Sequence, residues 1–115
     1  MKLAIVGSRG ISDIRLADYI KEIPSEIVSG GARGIDTLAA DYAKANKITL
    51  TEFLPDYRKY GRSAPIIRNR QIIEAADKVL AIWDGKSRGT QNSISLARKL
   101  DKEVLLFVVD SCNDK

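Results

Sequence analysis

The feature of this sequence that most constrains its fold is the regular alternation of short apolar runs with segments of helical spacing. Five apolar runs predict β-strands, at residues 3–6, 26–29, 49–54, 78–83 and 103–109. Between them lie four segments with helical spacing, at residues 12–23, 35–45, 63–76 and 90–100. This pattern is typical of parallel strands with helices on both faces, and five strands are too few for an eight-stranded barrel. We therefore predict an α/β fold, a Rossmann-like, doubly wound, parallel five-stranded sheet with helices on both faces.

Length and composition narrow the class of protein further. At 115 residues the chain predicts a single domain over residues 1–115. The sequence has no histidine and one cysteine, Cys112, which excludes an internal disulfide, a histidine-activated nucleophile and, in practice, a zinc site. No secretory signal is recognisable, and no apolar run approaches the about 20 residues of a membrane span. We expect a cytoplasmic protein with no membrane partner and no metal site of its own, while the question of a metal that joins bound phosphates stays open.

The last predicted strand, residues 103–109, is strongly apolar and can lie at an edge of the sheet. An uncovered apolar edge invites pairing with a second chain. Two alternatives stay open. The chain forms a homo-oligomer such as a dimer, or helices cover the strand and the tail, residues 110–115, shields the rim.

In a doubly wound sheet, ligands bind outside the carboxyl ends of the strands, near the point where the strand order reverses. The first loop at that end is Gly7-Ser8-Arg9-Gly10. Glycines let the backbone approach a ligand closely, and the following amides attract anions. We expect Ser8 to donate its hydroxyl and Arg9 to pair with a phosphate; the alternative is a tight turn that only needs glycine.

The second loop, residues 29–36, is the richest in glycine, with Gly30, Gly31 and Gly34 beside Arg33. Successive backbone amides in such a loop can form a concave anion site. Asp36 has two interpretations, as a cap of the second helix or as a contact to a ribose hydroxyl, and we favour the cap.

The third stretch, residues 55–70, combines aromatic and basic residues. Tyr57 and Tyr60 could stack on bases among the surrounding arginines and lysines, or the stretch could be a solvated basic loop. Asn69 falls on an apolar helical stripe, which predicts that its amide points inward and braces loops. Arg68 and Arg70 flank it, and we expect at least one of them to reach the cleft.

The fourth loop, residues 83–90, contains Asp84, Gly85, Ser87, Gly89 and Thr90. Gly89 and Thr90 open a helix, so Thr90 suits both an N-cap and a phosphate site. Because strands 1 and 4 are often neighbours in such sheets, this loop should face the first one. The net charge is only +4, but the basic residues collect at these loops, which favours an anionic, nucleotide-like ligand. They are Arg9, Arg33, Arg58, Lys59, Arg62, Arg68, Arg70, Lys86 and Arg88.

Taken in order, these segments resemble a known family. Ser-Gly-Gly-Ala-Arg-Gly-Ile-Asp, Tyr-Gly-Arg-Ser-Ala, Ile-Arg-Asn-Arg and Trp-Asp-Gly-Lys-Ser-Arg-Gly-Thr are similar to the YspA-like family of the SLOG superfamily. That superfamily also includes the LOG phosphoribohydrolases and the DNA-processing protein DprA. The resemblance covers residues 2–109 and implies a Rossmann-like fold with a nucleotide-type site at these loops, used to sense or process a nucleotide-derived ligand. The resemblance does not identify a definite cofactor. A bound nucleotide is the group that these loops suit.

Two departures from the relatives bear on activity. LOG enzymes use a Pro-Gly-Gly-x-Gly-Thr-x-x-Glu motif, and here Gly89 and Thr90 match it but Ser93 stands at the glutamate. The resemblance therefore leans against hydrolysis and leaves Asp84, with Asp36, as the remaining candidate acids. DprA binds single-stranded DNA and shares Ser-Gly-x-Ala-Arg-Gly-Ile-Asp and Arg-Asn-Arg, although Gly31 replaces its usual leucine. Sensor, phosphoribohydrolase and single-strand binder remain the three hypotheses.

Overall fold

The computed structural model describes residues 1–109, which form five strands and four α-helices. The strands are β1 (Lys2–Gly7), β2 (Glu26–Ser29), β3 (Thr49–Glu52), β4 (Lys78–Trp83) and β5 (Glu103–Val108). The helices are α1 (Ile35–Ala45), α2 (Tyr57–Tyr60), α3 (Ala64–Ala75) and α4 (Arg88–Lys99). Two single 3₁₀ turns lie at Leu16–Asp18 and Gly61–Ser63.

All five strands are parallel and belong to one sheet, in the order β3-β2-β1-β4-β5. The predicted Rossmann-like α/β fold is confirmed. The strand order reverses at β1, which pairs with β2 on one side and β4 on the other. The loops that follow β1 and β4 therefore leave the sheet side by side, as the sequence predicts.

Side chains alternate between two apolar layers along β1. Leu3 and Ile5 pack with α1 and the Leu16–Asp18 turn on one face. Ala4 and Val6 pack with α3 and α4 on the other face. Since successive residues of a strand point to opposite faces, an unbroken apolar run buries a strand between two layers.

The predicted helix over residues 12–23 is wrong. The structure has only the 3₁₀ turn Leu16–Asp18 there. The predicted apolar stripe is not buried as one face, because Ile23 is 70% exposed while Leu16 is 5% exposed. The chain is instead held by Leu16 and by Tyr19, whose ring meets that of Phe107 edge to face at 4.9 Å between centroids.

Strand β5 lies at an edge of the sheet, with Val108 63% exposed. Both the shielding role expected of residues 110–115 and the position of Cys112 lie outside the described residues. Within residues 1–109, no helix is long and apolar enough to cross a membrane.

Candidate functional site

A cavity of about 440 Å³ opens at the carboxyl ends of β1, β2 and β4. Nine of the residues that the sequence predicts for the site lie in its wall: Gly7, Arg9, Asp36, Arg68, Asn69, Asp84, Ser87, Gly89 and Thr90. The remaining wall residues are Val6, Gly10, Ala32, Pro65, Ile72 and Ser93. The wall thus combines the loops after β1, β2 and β4 with the N-terminal halves of α3 and α4.

The β1 loop uses Gly7 and Ser8 for packing. A Cβ on Gly7 would collide with the side chain of Ile35 and the carbonyl of Ile82. Ser8 is fully buried behind the cavity wall, where its Oγ accepts the Asp84 N–H at 3.0 Å. The expectation that Ser8 offers its hydroxyl to a ligand therefore does not fit this position; its hydrogen bond ties the β1 and β4 loops together. Arg9, in contrast, is exposed in the cavity wall.

The glycines of the β2 loop are explained largely by close contacts. Gly34 has φ +74°, and a Cβ there would overlap the backbone of Arg9, so no other residue fits without strain. A Cβ on Gly30 would meet the guanidinium of Arg68. Gly31 and Arg33 are exposed and lie outside the cavity wall.

Asp36 does not cap α1. The N-cap is Gly34, and Asp36 Oδ2 accepts the N–H of Ala32 at 3.1 Å. The capping interpretation is wrong because the helix begins one residue before Asp36, which leaves its carboxylate free to close the loop behind it. The pKa of the Asp36 carboxyl is raised overall, because burial disfavours its charged form. Smaller opposing effects come from the Ala32 N–H, the Ser29 hydroxyl, Arg68 and Arg9.

Ser29 lies beside Asp36 and adds a second unusual group. Its side chain is fully buried, and its Oγ has no hydrogen-bond partner among residues 1–109. The Ser29 hydroxyl is near enough to the Asp36 carboxylate to lower its pKa, although the two groups form no hydrogen bond of good geometry. A buried hydroxyl without a partner is uncommon in folded proteins.

In α3, Arg68 takes the inward position that the sequence analysis gave to Asn69. Arg68 is 8% exposed, and its Nη1 donates to the Gly30 carbonyl at 2.8 Å. Its Nε donates to Asn69 Oδ1 at 3.2 Å, and Asn69 Nδ2 donates to Asn92 at 3.4 Å. These bonds offset the cost of burying the guanidinium.

The predicted stripe through Asn69 consists of Ile66, Ile73 and Ala76; Ile73 and Ala76 are buried, but Ile66 is 61% exposed. The buried row is Ala64, Arg68 and Ile72, four residues apart, and that spacing would have predicted the inward Arg68 from the sequence. Arg70 points outward and pairs with Glu74 at 2.9 Å, so of the two flanking arginines Arg68 alone lines the cavity.

Helix α4 begins at the cavity. Its N-cap is Ser87, whose Oγ accepts the Thr90 N–H at 3.5 Å and lies 3.2 Å from Thr90 Oγ1. The N-cap role predicted for Thr90 is therefore wrong, because the helix starts two residues earlier, at Arg88. The N–H groups of a first helical turn have no partner within the helix and form the positive end of its dipole.

Asp84 organises the loop that leads into α4. Its Oδ1 accepts the N–H groups of Lys86 and Ser87, each at 2.8 Å. Burial alone would raise the pKa of the Asp84 carboxyl, but these two N–H groups and the Ser8 hydroxyl lower it overall. Gly85 makes the turn at φ +82° and lies outside the cavity wall.

Ser93 is a wall residue that the sequence analysis did not include in the site. It is 2% exposed and lies three residues after Thr90 on α4. Helical spacing from Thr90 would have predicted it. Val6, Pro65 and Ile72 add apolar surface to the wall, and their contribution depends on contacts between elements that are far apart in sequence.

The wall brings cationic and anionic groups together. Of the nine basic residues near the loops, Arg9 and Arg68 line the cavity, opposite the carboxylates of Asp36 and Asp84. Tyr57 is 59% exposed, while Lys59 Nζ lies 5.2 Å from the centre of the Tyr60 ring. Neither tyrosine is in the cavity wall. Residues 1–109 contain no group of three or more histidine, cysteine or acidic residues that could hold a metal ion.

Comparison with known proteins gives one family match. The family described as YAcAr, the YspA, cpYpsA-related SLOG family, matches residues 1–60, which include β1, β2, α1, β3 and α2. No curated protein is significantly similar to the chain, and no solved structure is.

Proposed function

The chain belongs to the YspA, cpYpsA-related SLOG family, and from this premise we propose that it binds a nucleotide or a nucleotide-derived ligand as a sensor or ligand-binding module. Family membership is consistent with a nucleotide-related ligand. The observation that carries the proposal is the cavity of about 440 Å³ at the point where the strand order reverses. This is the usual ligand position in doubly wound sheets.

The phosphate would bind where the first turn of α4 meets the β1 loop. Gly89 and Thr90 belong to that turn and line the cavity. The Thr90 N–H is donated to Ser87 Oγ, so the Gly89 N–H and the positive end of the helix dipole would attract the anion there. Arg9 is exposed in the same wall and forms no ion pair within residues 1–109, so its guanidinium is available for a phosphate.

The groups at the cavity favour binding over catalysis. Ser93 occupies the position of the LOG glutamate and cannot act as a carboxylate acid or base. Asp84 Oδ1 is held by two backbone N–H groups, and its pKa is lowered, so Asp84, our sequence-based catalytic candidate, is a poor proton donor.

One observation supports phosphoribohydrolase-like cleavage as a second candidate. Asp36 lines the same cavity, and burial raises its pKa, which suits a group that protonates a leaving base. Water would add to C1′ of the ribose while the bond to the base breaks. If this function holds, any nucleotide that binds should release its free base, as measured by chromatography, and Asp36→Asn should abolish the release.

A DprA-like role in binding single-stranded DNA has weaker support. Tyr57 is exposed next to Arg58 and Lys59, which suits base stacking on a basic surface. The face of Tyr60 is already occupied by Lys59, so one aromatic side chain remains for stacking in this segment.

Binding titrations test the proposal directly. We expect the purified protein to bind a 5′-nucleotide from the set AMP, ADP-ribose, NAD and a cytokinin nucleotide, with saturation and little loss between low and moderate salt. Arg9→Gln should weaken this binding by roughly tenfold, because it removes a charge-assisted hydrogen bond. Arg98→Gln removes an exposed arginine from the last turn of α4, at the end of the helix away from the cavity, and should leave the affinity unchanged.

Two results would contradict the proposal. Binding of a short single-stranded oligonucleotide alone, with an affinity that collapses as salt rises, would favour the DprA-like function. An equal loss of affinity in Arg9→Gln and Arg98→Gln would show that the ligand responds to overall charge and not to the cavity.

A further inference from the structure

The cavity wall contains two carboxylates, Asp36 and Asp84, and a nearby negative charge repels a phosphate. Asp84 Oδ1 accepts two backbone N–H groups, whereas Asp36 accepts only the N–H of Ala32 in good geometry, so Asp36 is the carboxylate with the greater need of a partner. Arg9 and Arg68 act on its charge from nearby, yet neither forms an ion pair with it within residues 1–109. If a phosphorylated ligand binds here, Asp36 must meet a part of it that donates hydrogen bonds.

Asp36 has acceptor capacity to spare. Its carboxylate receives one hydrogen bond of good geometry, from the Ala32 N–H to Oδ2, whereas two carboxylate oxygens can accept about four. The neighbouring Ser29 hydroxyl is fully buried without a partner among residues 1–109. Two polar groups that are not fully satisfied thus lie together at the β2 side of the cavity.

The phosphate and Asp36 sites lie on opposite sides of β1. The α4 turn follows β4, and Asp36 follows β2, and these two strands flank β1 in the sheet. The strands β2 and β4 are two strand spacings apart, about 10 Å. In a 5′-nucleotide the ribose, with its 2′- and 3′-hydroxyls, lies between the phosphate and the base. The apolar wall of Val6, Pro65 and Ile72 suits the base.

We propose, on the basis of the proposed nucleotide-binding function, that Asp36 accepts hydrogen bonds from the vicinal ribose hydroxyls and so selects ribonucleotides over deoxyribonucleotides. A carboxylate is the side chain best suited to this task, because its two oxygens accept from two adjacent hydroxyls at once. The Ala32 N–H holds the carboxylate in position at the start of α1.

The test compares paired ligands on the intact protein in the presence of EDTA. The four 5′-ribonucleoside monophosphates and their 2′-deoxy counterparts are titrated by calorimetry at neutral pH. We expect each nucleotide that binds to lose roughly tenfold or more in affinity when its 2′-hydroxyl is absent, because a hydrogen bond to a charged acceptor is lost. Equal affinity for the members of each pair would overturn the inference while leaving the proposed function intact. Failure of these nucleotides, and of ADP-ribose, NAD and a cytokinin nucleotide, to bind would overturn both.

The variant Asp36→Asn assigns the discrimination to this residue. Asparagine keeps the shape and an oxygen that can accept the Ala32 N–H, but lacks the second acceptor and the charge. We expect Asp36→Asn to bind the ribonucleotide more weakly and to prefer it over the deoxynucleotide by less than threefold. Asp41→Asn, an exposed position of the same helix, should retain the wild-type preference. A wild-type preference in Asp36→Asn would overturn the inference.

Discussion

At the scale of single residues, the site is organised by side chains whose hydrogen-bond partners lie in other elements of the fold. Arg68 was one of two flanking arginines, yet it is the one that is buried and bonded to Gly30, 38 positions away. Ser8 was expected to face a ligand, yet it is fully buried and bonded to Asp84, 76 positions away. Both outcomes depend on partners from other elements. The four-residue spacing of Ala64, Arg68 and Ile72 indicates the buried face of α3. The bond to Gly30 and the inward direction of Ser8 were not predictable from the sequence.

The electrostatics of Asp36 lead to a prediction about stability. Its pKa is raised in the folded protein, so the folded state binds more protons than the unfolded chain at pH values between the two pKa values. The free energy of unfolding therefore falls as pH rises through that window. Asparagine does not titrate, so Asp36→Asn should gain stability relative to wild type as the pH rises above about 4, the ordinary pKa of aspartate.

Urea unfolding at a series of pH values measures this difference. Asp41→Asn is the control for removing one carboxylate from the same helix. If the stability of Asp36→Asn relative to wild type instead falls as the pH rises, then Arg68 and Arg9 stabilise the Asp36 carboxylate by more than burial costs it.

At the scale of secondary-structure elements, periodic burial decided which predictions succeeded. Helix α1 and strands β2 and β4 have the predicted bounds. The helix packs a regular apolar face against the sheet, and the two strands are apolar runs that are buried within it. The segment 12–23 also carries apolar residues at helical spacing, but its buried and half-buried side chains fall at irregular intervals, so the helix predicted there is absent. The start of α4 differs from the prediction by two residues, because the Ser87 side chain caps it.

The cap of α4 supports a prediction on local stability. Ser87→Ala removes the acceptor for the Thr90 N–H and should lower the free energy of unfolding by about 1 kcal/mol. Ser95→Ala, at an exposed position within the same helix, should be neutral or slightly stabilising, because alanine is the better helix former. Thermal unfolding of both variants measures the effect. Equal stability of the two variants would show that the Ser87 hydroxyl does not cap the helix.

At the scale of the whole molecule, one sheet joins the two apolar layers. Residues of β1 contribute to both layers, Leu3 and Ile5 to one and Ala4 and Val6 to the other. We expect the two layers to lose their packing together on unfolding, because both contain residues of β1.

The shared strand predicts one cooperative unfolding transition. Trp83 is the only tryptophan, and its Nε1 donates to the Ser87 carbonyl at 2.9 Å beside the cavity. Its fluorescence and the far-ultraviolet circular dichroism of the helices should therefore change at the same urea concentration. Fluorescence that changes at a lower urea concentration would mean that the cavity loops unfold separately from the sheet.

The sequence by itself determined the fold class, the parallel sheet and the edge of that sheet where the loops collect, because apolar periodicity and glycine-rich turns are local properties of the chain. The tertiary structure decided which residues face the cavity. Arg68 and Asp36 owe their positions to contacts around Gly30 and Ala32, and Ser8 owes its position to the pairing of β1 with β4. Side-chain direction at a site depends on which elements become neighbours, and that depends on the packing of the whole sheet.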